Sequence, residues 1–384
     1  MAQISPFQVM ELLTQAQQLE QNGQEIVHME VGEPDFPTPA PIVHAGQQAL
    51  AEGNTRYTPA LGLPQLREAI AAFHYDYHQT NISPERVIIT SGASAGLLLA
   101  LGVTLSPAER MIMSDPGYPC NRNFVRFLGG EVDSIAVGAD QHYQLSADAV
   151  RQQWQEQTRG VMVASPANPC GTLLPFDELK KIEKEVAARD GTLIVDEIYN
   201  GLSYSDSGHP PATALTLNSD HIITIHSFSK QFCMTGWRLG WMVVPAALVR
   251  EVEKLAQNLY ISPSTPAQYA ALAAFSTETL TILEQYRQQF RQRRDFLLPQ
   301  LRQLDFQIPI TPEGAFYLYA NSEKWGDDSR RLSQRLLHEA GVAVTPGSDF
   351  GSYRHRSHLR FAYTTSLEQL ELGVTRLKQF REKL

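Results

Sequence analysis

Six short apolar runs recur through the middle of the chain, at residues 86–90, 111–114, 160–164, 192–195, 221–225 and 239–244. Their apolar residues are nearly continuous rather than alternating with polar ones, the pattern of strands covered on both faces. Between them the period becomes helical. Leu66, Ile70, Phe73 and Tyr77 repeat behind Pro64, and Leu179, Ile182 and Val186 repeat behind the N-cap candidate Asp177 and stop at Asp190-Gly191. A capping-box pattern, Ser366-Leu367-Glu368-Gln369, opens a last helix carrying Leu370, Val374 and Leu377 on one face. Strands alternating with helices predict an α/β fold with a mostly parallel central sheet sandwiched by helices. The polar stretch 286–295 reads as an exposed helix leading out of the central domain. The expected division is a segment 1–45 that joins a small domain, a large domain 46–285, and a C-terminal part 286–384. Both chain ends then build the smaller α+β domain. No fixed-period repeat or low-complexity tract interrupts this order.

Composition narrows the picture. The chain has 384 residues, 43% hydrophobic and 19% charged, a globular balance that excludes disordered and collagen-like chains. Its net charge of −9 argues against a protein that tracks nucleic-acid phosphates. Three scattered cysteines, Cys120, Cys170 and Cys233, fit a reducing compartment. Residues 1–11 lack the basic-then-apolar order of a signal peptide. The most apolar run, 97–105, is too short for a bilayer, which needs about 20 residues. The expectation is a soluble, cytoplasmic protein.

In an open parallel sheet, ligands bind beyond the carboxyl ends of the strands. Five predicted strands deliver distinct chemistry there: Ser91-Gly92-Ala93-Ser94-Ala95-Gly96, Tyr118, Asn168, Asp196 with Tyr199, and Ser227-Phe228-Ser229-Lys230. Small residues at a helix start let backbone N–H groups approach an anion, although the same segment suits an ordinary strand-to-helix turn. Tyr118 alone suits a core position, Asn168 a turn and Lys230 the surface. Asp196 is harder to dismiss, because a carboxylate near a sheet core is costly unless a cation pairs with it. His74 and His78, four apart on a helix, lack a third zinc ligand and read as an exposed face. The arginine clusters at 291–294 and 354–356 read as solvated faces. Trp237, Trp241, Cys170 and Cys233 read as packing residues.

Lys230 is followed by Met234-Thr235-Gly236-Trp237-Arg238-Leu239-Gly240, and with this motif the chain resembles the class I/II aminotransferases, pyridoxal-phosphate enzymes of fold type I. The resemblance extends over Gly32-Glu33-Pro34-Asp35-Phe36, Tyr57-Thr58-Pro59, Asn168-Pro169-Cys170-Gly171, Asp196-Glu197-Ile198-Tyr199, Pro346-Gly347 and Leu359-Arg360-Phe361. It implies that Lys230 forms the Schiff base with pyridoxal 5'-phosphate and then carries the transferred proton. It also implies that Asp196 pairs with the pyridine nitrogen, Tyr199 and Asn168 bond the phenolic oxygen, and Tyr118 stacks on the ring. Ser227, Ser229 and Arg238, with the backbone of Ala93 and Ser94, would hold the phosphate. Arg360, helped by Asn168 and the backbone at Gly32, would clamp the substrate α-carboxylate. Tyr57 would reach the phosphate of a neighbouring subunit, which implies a homodimer.

The leading expectation is transfer of an amino group from an amino acid to a 2-oxo acid by a ping-pong route. A carbon–sulfur lyase on the same scaffold is the alternative. A regulator without turnover needs an added DNA-binding module, for which the early Gly32 motif leaves no room. Residues 255–286 contain no arginine or lysine, so one known device for a distal carboxylate is missing. Arg122 or Arg126 could substitute for it. Phe7, Tyr260 and Ile261 instead suggest an apolar donor pocket, a broad donor range, and 2-oxoglutarate or pyruvate as acceptor.

Overall fold

The computed structural model describes residue 4 and residues 6–204 and 213–384. Residues 1–3 and 5, within the segment read for a leader, lie outside the described residues. The first strand, β1 (Val27–Met29), precedes a continuous series: β2 (Val87–Thr90), β3 (Arg110–Asp115), β4 (Glu131–Ala136), β5 (Thr158–Ala164), β6 (Thr192–Asp196), β7 (Ile222–Ser227) and β8 (Gly240–Val243). Three more follow near the C-terminus: β9 (Tyr317–Asn321), β10 (Val342–Pro346) and β11 (His358–Ala362).

β2 to β8 form one seven-stranded sheet in the order β2-β8-β7-β6-β5-β3-β4. Neighbours from β7 to β4 run parallel, and only β8 is antiparallel to both of its neighbours. The six predicted runs are all strands, shifted by no more than a few residues. β2, β7 and β8 are buried at every position, as two helical layers require. On one face Leu97, Leu99 and Leu101 of the helix Ala93–Thr104 pack against Met111, Ile194 and Ile223. The other face is covered by Leu179, Ile182 and Val186 of the helix Phe176–Ala187, against Val161, Leu193 and Val195.

β4 escaped the apolar-run criterion because it is an edge strand with polar positions. Its buried Asp133 is held by the Arg110 guanidinium, with Nε at 2.8 Å. The second sheet, β1-β10-β11-β9, joins the two chain ends: Val27 of parallel β1 registers with Val342 of β10. Together with the helices Ser329–Arg335 and Leu367–Arg381 it makes the expected smaller α+β unit.

Two surface expectations are corrected. His74 is buried, one turn beyond Ile70 on the core side of its helix, and accepts the Trp241 indole N–H at 3.2 Å. Within the helix Thr277–Gln303, Arg293 and Arg294 are buried too. Arg293 makes a two-pronged pair with Asp35 at 2.6 and 2.9 Å, and Arg294 donates to the Pro312 carbonyl at 2.7 Å. A charge run on a helix is solvated only where no other element brings it a partner. Trp241, Cys170 and Cys233 are buried in the packing as expected. Among the described residues, no helix is long and apolar enough to cross a membrane.

Candidate active site

The ends of parallel strands carry the site. Asp196 closes β6 and Ser227 closes β7, while loops after β3 and β5 bring in Tyr118 and Asn168. Arg360 reaches the same place from β11 of the smaller sheet. These residues border a cleft of about 260 Å³. Gly32, Ala93, Ser94, Tyr118, Asn168, Asp196, Tyr199, Ser227, Ser229, Lys230, Arg238 and Arg360 all line it. Tyr57 does not; its side chain stands 79% exposed on the surface.

Lys230 Nζ donates to the Gly32 carbonyl at 2.6 Å. Withdrawal from water brings this ammonium down to about 8, against the opposing pull of Glu33. A neutral, nucleophilic amine is therefore accessible near neutral pH. Burial also pushes the Asp196 carboxyl up to about 6, although the Ile198 N–H donates to it at 3.2 Å. Among the described residues no cationic side chain lies within ion-pair distance of Asp196. Among the described residues its burial is offset by the Ile198 N–H and by the more distant charge of Lys230.

Arg360 is buried and aimed by several acceptors. Nη1 donates to Asn168 Oδ1 at 3.0 Å, and Nη2 to the Glu30 carbonyl and, at 3.3 Å, to Thr345 Oγ1. Its guanidinium lies over the Tyr317 and Phe350 rings at 4.3 and 4.8 Å. Among the described residues Nε has no partner, an orphaned donor in a buried cation.

The helix Ala93–Thr104 begins at Gly92, whose φ is +80° and which supplies no side-chain cap. Its first N–H groups are thus uncommitted within the helix. A Cβ at Gly92 would stand 2.6 Å from Arg238 Nη2, so the glycine admits the guanidinium beside that helix start. Ser227 Oγ, facing the same place, accepts the Ser229 N–H at 3.0 Å.

Tyr317 went unnoticed in the sequence. Its hydroxyl shares a hydrogen bond with that of Tyr199 at 2.8 Å, and a Cβ at Gly32 would stand 1.8 Å from the same oxygen. The aromatic run Phe316-Tyr317 was the available signal, but it is equally the pattern of a core strand. Phe7 lines the cleft as expected, edge-on to Tyr118 with centroids 6.0 Å apart. Tyr260 and Ile261 do not line it, and Ile261 is exposed. Arg122 and Arg126 are also outside it; Arg122 donates to the Asp349 and Phe350 carbonyls at 2.6 and 2.8 Å.

A doubly covered, mostly parallel sheet with a lysine, a buried carboxylate and an anion cradle at its carboxyl edge defines a cofactor-dependent group-transfer enzyme. The family model for aminotransferase class I and II matches residues 24–377, and the chain belongs to that family. It is 36% identical over 377 residues to a (5-formylfuran-3-yl)methyl phosphate transaminase of Methanocaldococcus jannaschii, covering 98% of this chain and 97% of the relative. It is 36% identical to a valine–pyruvate aminotransferase of Mycobacterium tuberculosis, covering 98% and 96%. The crystal structure of aspartate aminotransferase from Thermus thermophilus with maleate superposes with a TM-score of 0.92 at 32% identity, covering 99% of this chain and 97% of that one. The protein is a pyridoxal-phosphate-dependent aminotransferase. These relatives support transamination and lend nothing to the lyase alternative.

The residues present fit that cofactor. The helix start at Ala93 with Arg238 suits a phosphate, and the unpaired buried Asp196 suits a protonated ring nitrogen. Lys230, with its lowered basicity, suits an aldehyde.

Proposed function

We propose that this enzyme transfers amino groups from a broad range of donors, including apolar and aromatic amino acids, to 2-oxoglutarate or pyruvate. The observation that carries this reading is the lining of the cleft. Phe7, Val9, Met10, Val31, Leu97 and Ile198 are apolar, and among the described residues the only arginines lining the cleft are Arg238 and Arg360. With Arg238 committed to the phosphate cradle, Arg360 is left for the α-carboxylate that every donor carries. Its Nη1 and Nη2 are fixed by Asn168, Glu30 and Thr345, so the fork is oriented before substrate arrives.

When bound, pyridoxal phosphate supplies the aldehyde that takes up the amino group and a ring that accepts electrons as the donor's α-proton leaves. The chain's own residues do the rest. Lys230 Nζ takes the α-proton and returns it at the neighbouring carbon. Asp196 keeps a cation in place at the foot of the cleft. Of the paired hydroxyls of Tyr199 and Tyr317, one donates to the other, and the remaining O–H donates to an oxyanion in the cleft. Ser227, Ser229, Arg238 and the Ala93–Ser94 backbone hold the phosphate.

The exposed Tyr57 supports a homodimer in which this ring completes the partner's site, with the boundaries near residues 45 and 286 separating the lobes. Light scattering should give twice the chain mass; a monomer would overturn that assembly. We assign the enzyme to the cytoplasm on its three unpaired cysteines; recovery in a membrane or secreted fraction would oppose this.

A donor panel tests the specificity. Wild type should accept leucine, phenylalanine and aspartate within about two orders of magnitude in kcat/KM, and Arg360→Ala should weaken all of them together by about 1.5–3 kcal/mol. Strict aspartate specificity, or loss of dicarboxylic donors alone, would contradict it.

A further inference from the structure

A second cavity, of about 380 Å³, opens on the molecule away from Lys230. One wall comes from the central-sheet unit: Pro116 in the turn before Tyr118, and Gly138, Ala139 and Tyr143 after β4. The opposite wall comes from the smaller sheet and its flanks, with Phe306, Tyr319, Tyr353 and His358 presenting rings. Tyr319 stacks on His358 with centroids 4.7 Å apart and stands edge-on to Tyr143 at 5.8 Å.

Two arginines, Arg302 and Arg354, line the same cavity. Most arginines of this chain sit against a carboxylate, but among the described residues neither of these makes an ion pair. Arg302 Nε is tied to the Ile308 carbonyl at 2.9 Å, which fixes the side chain at the rim. Arg354 is exposed and held in the left-handed region at φ +48°, and its own carbonyl lies 3.0 Å from His358 Nδ1. The Tyr319 hydroxyl is buried without a hydrogen-bond partner among the described residues. In a chain of net charge −9, two guanidinium groups without an ion pair among the described residues share a cavity with aromatic rings, a local site for an anion with a flat apolar body.

We propose that this cavity is a second binding site, distinct from the active site, for a small aromatic carboxylic acid. The rings take the apolar body and Arg302 and Arg354 take the carboxylate. An occupant touches both structural units at once. It also lies next to the substrate clamp: Tyr319 registers directly against Arg360 across β9 and β11, and Phe350 stands edge-on to Tyr319 while lying under the Arg360 guanidinium. A ligand here therefore binds the folded form across the seam and stabilises it by mass action.

Calorimetric titration of the cofactor-loaded enzyme with 2-naphthoate tests the site, with Arg360→Ala removing the competing active-site clamp. The Arg360→Ala chain should still bind one equivalent per chain and gain thermal stability on binding. Combining Arg360→Ala with Arg302→Ala and Arg354→Ala should weaken that binding at least 10-fold and abolish the thermal shift. Inorganic phosphate alone should bind at least 10-fold more weakly than 2-naphthoate. Should the triple variant fold poorly, Arg360→Ala with Gln307→Trp, which places an indole in the cavity from an exposed position, should block binding as well. Absence of binding to the Arg360→Ala chain, or binding unchanged by either set of substitutions, overturns the proposal, as does phosphate binding as tightly as the aromatic acid.

Discussion

In the proposed reaction one side chain, Asp196, sets how far the chemistry reaches. Its carboxylate is buried at the end of β6 with a single backbone donor, and burial alone would favour the neutral form. A cation in the cleft reverses that preference, and the charge matters most when the donor's α-carbon becomes carbanion-like. Asp196→Asn should therefore slow α-proton loss by on the order of 10²–10³-fold while changing cofactor affinity far less. Stopped-flow measurements with an α-deuterated donor, beside a cofactor titration, separate the two effects; equal losses would refute the role. His28 gives a second, independent test in the smaller unit. Its Nδ1 lies 2.7 Å from the Glu30 carboxylate, and that hydrogen bond raises the imidazole from 6.5 to about 9. A raised value means the contribution to stability is complete below about 6.5 and is lost as pH climbs through about 9. Denaturant midpoints of wild type should fall between pH 7 and 10, and those of His28→Gln should fall less steeply. Parallel profiles would show that the pair contributes nothing.

At the scale of elements, the approach of the Gly32 loop to β9 is the tightest fit in the site. The added methyl of Gly32→Ala would meet the Tyr317 hydroxyl at 1.8 Å and its ring carbon at 2.7 Å, so the loop or the ring must shift, which disturbs the bond to Tyr199. Overpacking of this kind costs about 1–3 kcal/mol. Chemical denaturation should register that loss, and Tyr317→Phe should relieve part of it by removing the nearest atom; full tolerance of Gly32→Ala would show the loop to be loose. This contact also explains what was legible beforehand. Continuous apolar runs marked the strands of the central sheet because both of their faces are covered, and the motifs at their ends then placed the site residues together. Tyr317 stayed hidden because its role comes from a meeting of residues far apart in sequence. The same reason hid the burial of His74 beneath Trp241 and the pairing of Arg293 with Asp35. β4 was missed because its buried Asp133 is neutralised by Arg110 instead of being replaced by an apolar residue.

For the whole molecule, chemistry depends on two units meeting. The central sheet supplies Lys230, Asp196 and the phosphate cradle, while the smaller sheet, built from both chain ends, supplies Arg360 and Tyr317. The central claim is that this combined site moves an amino group and keeps it, rather than releasing it. The direct measurement is to add an amino acid to the cofactor-loaded enzyme with no 2-oxo acid present. One stoichiometric change in the cofactor spectrum should follow, with no free ammonia, and a 2-oxo acid should then reverse it completely. Continuous release of ammonia and pyruvate from a cysteine-type substrate, without that reversible half-reaction, would contradict the account.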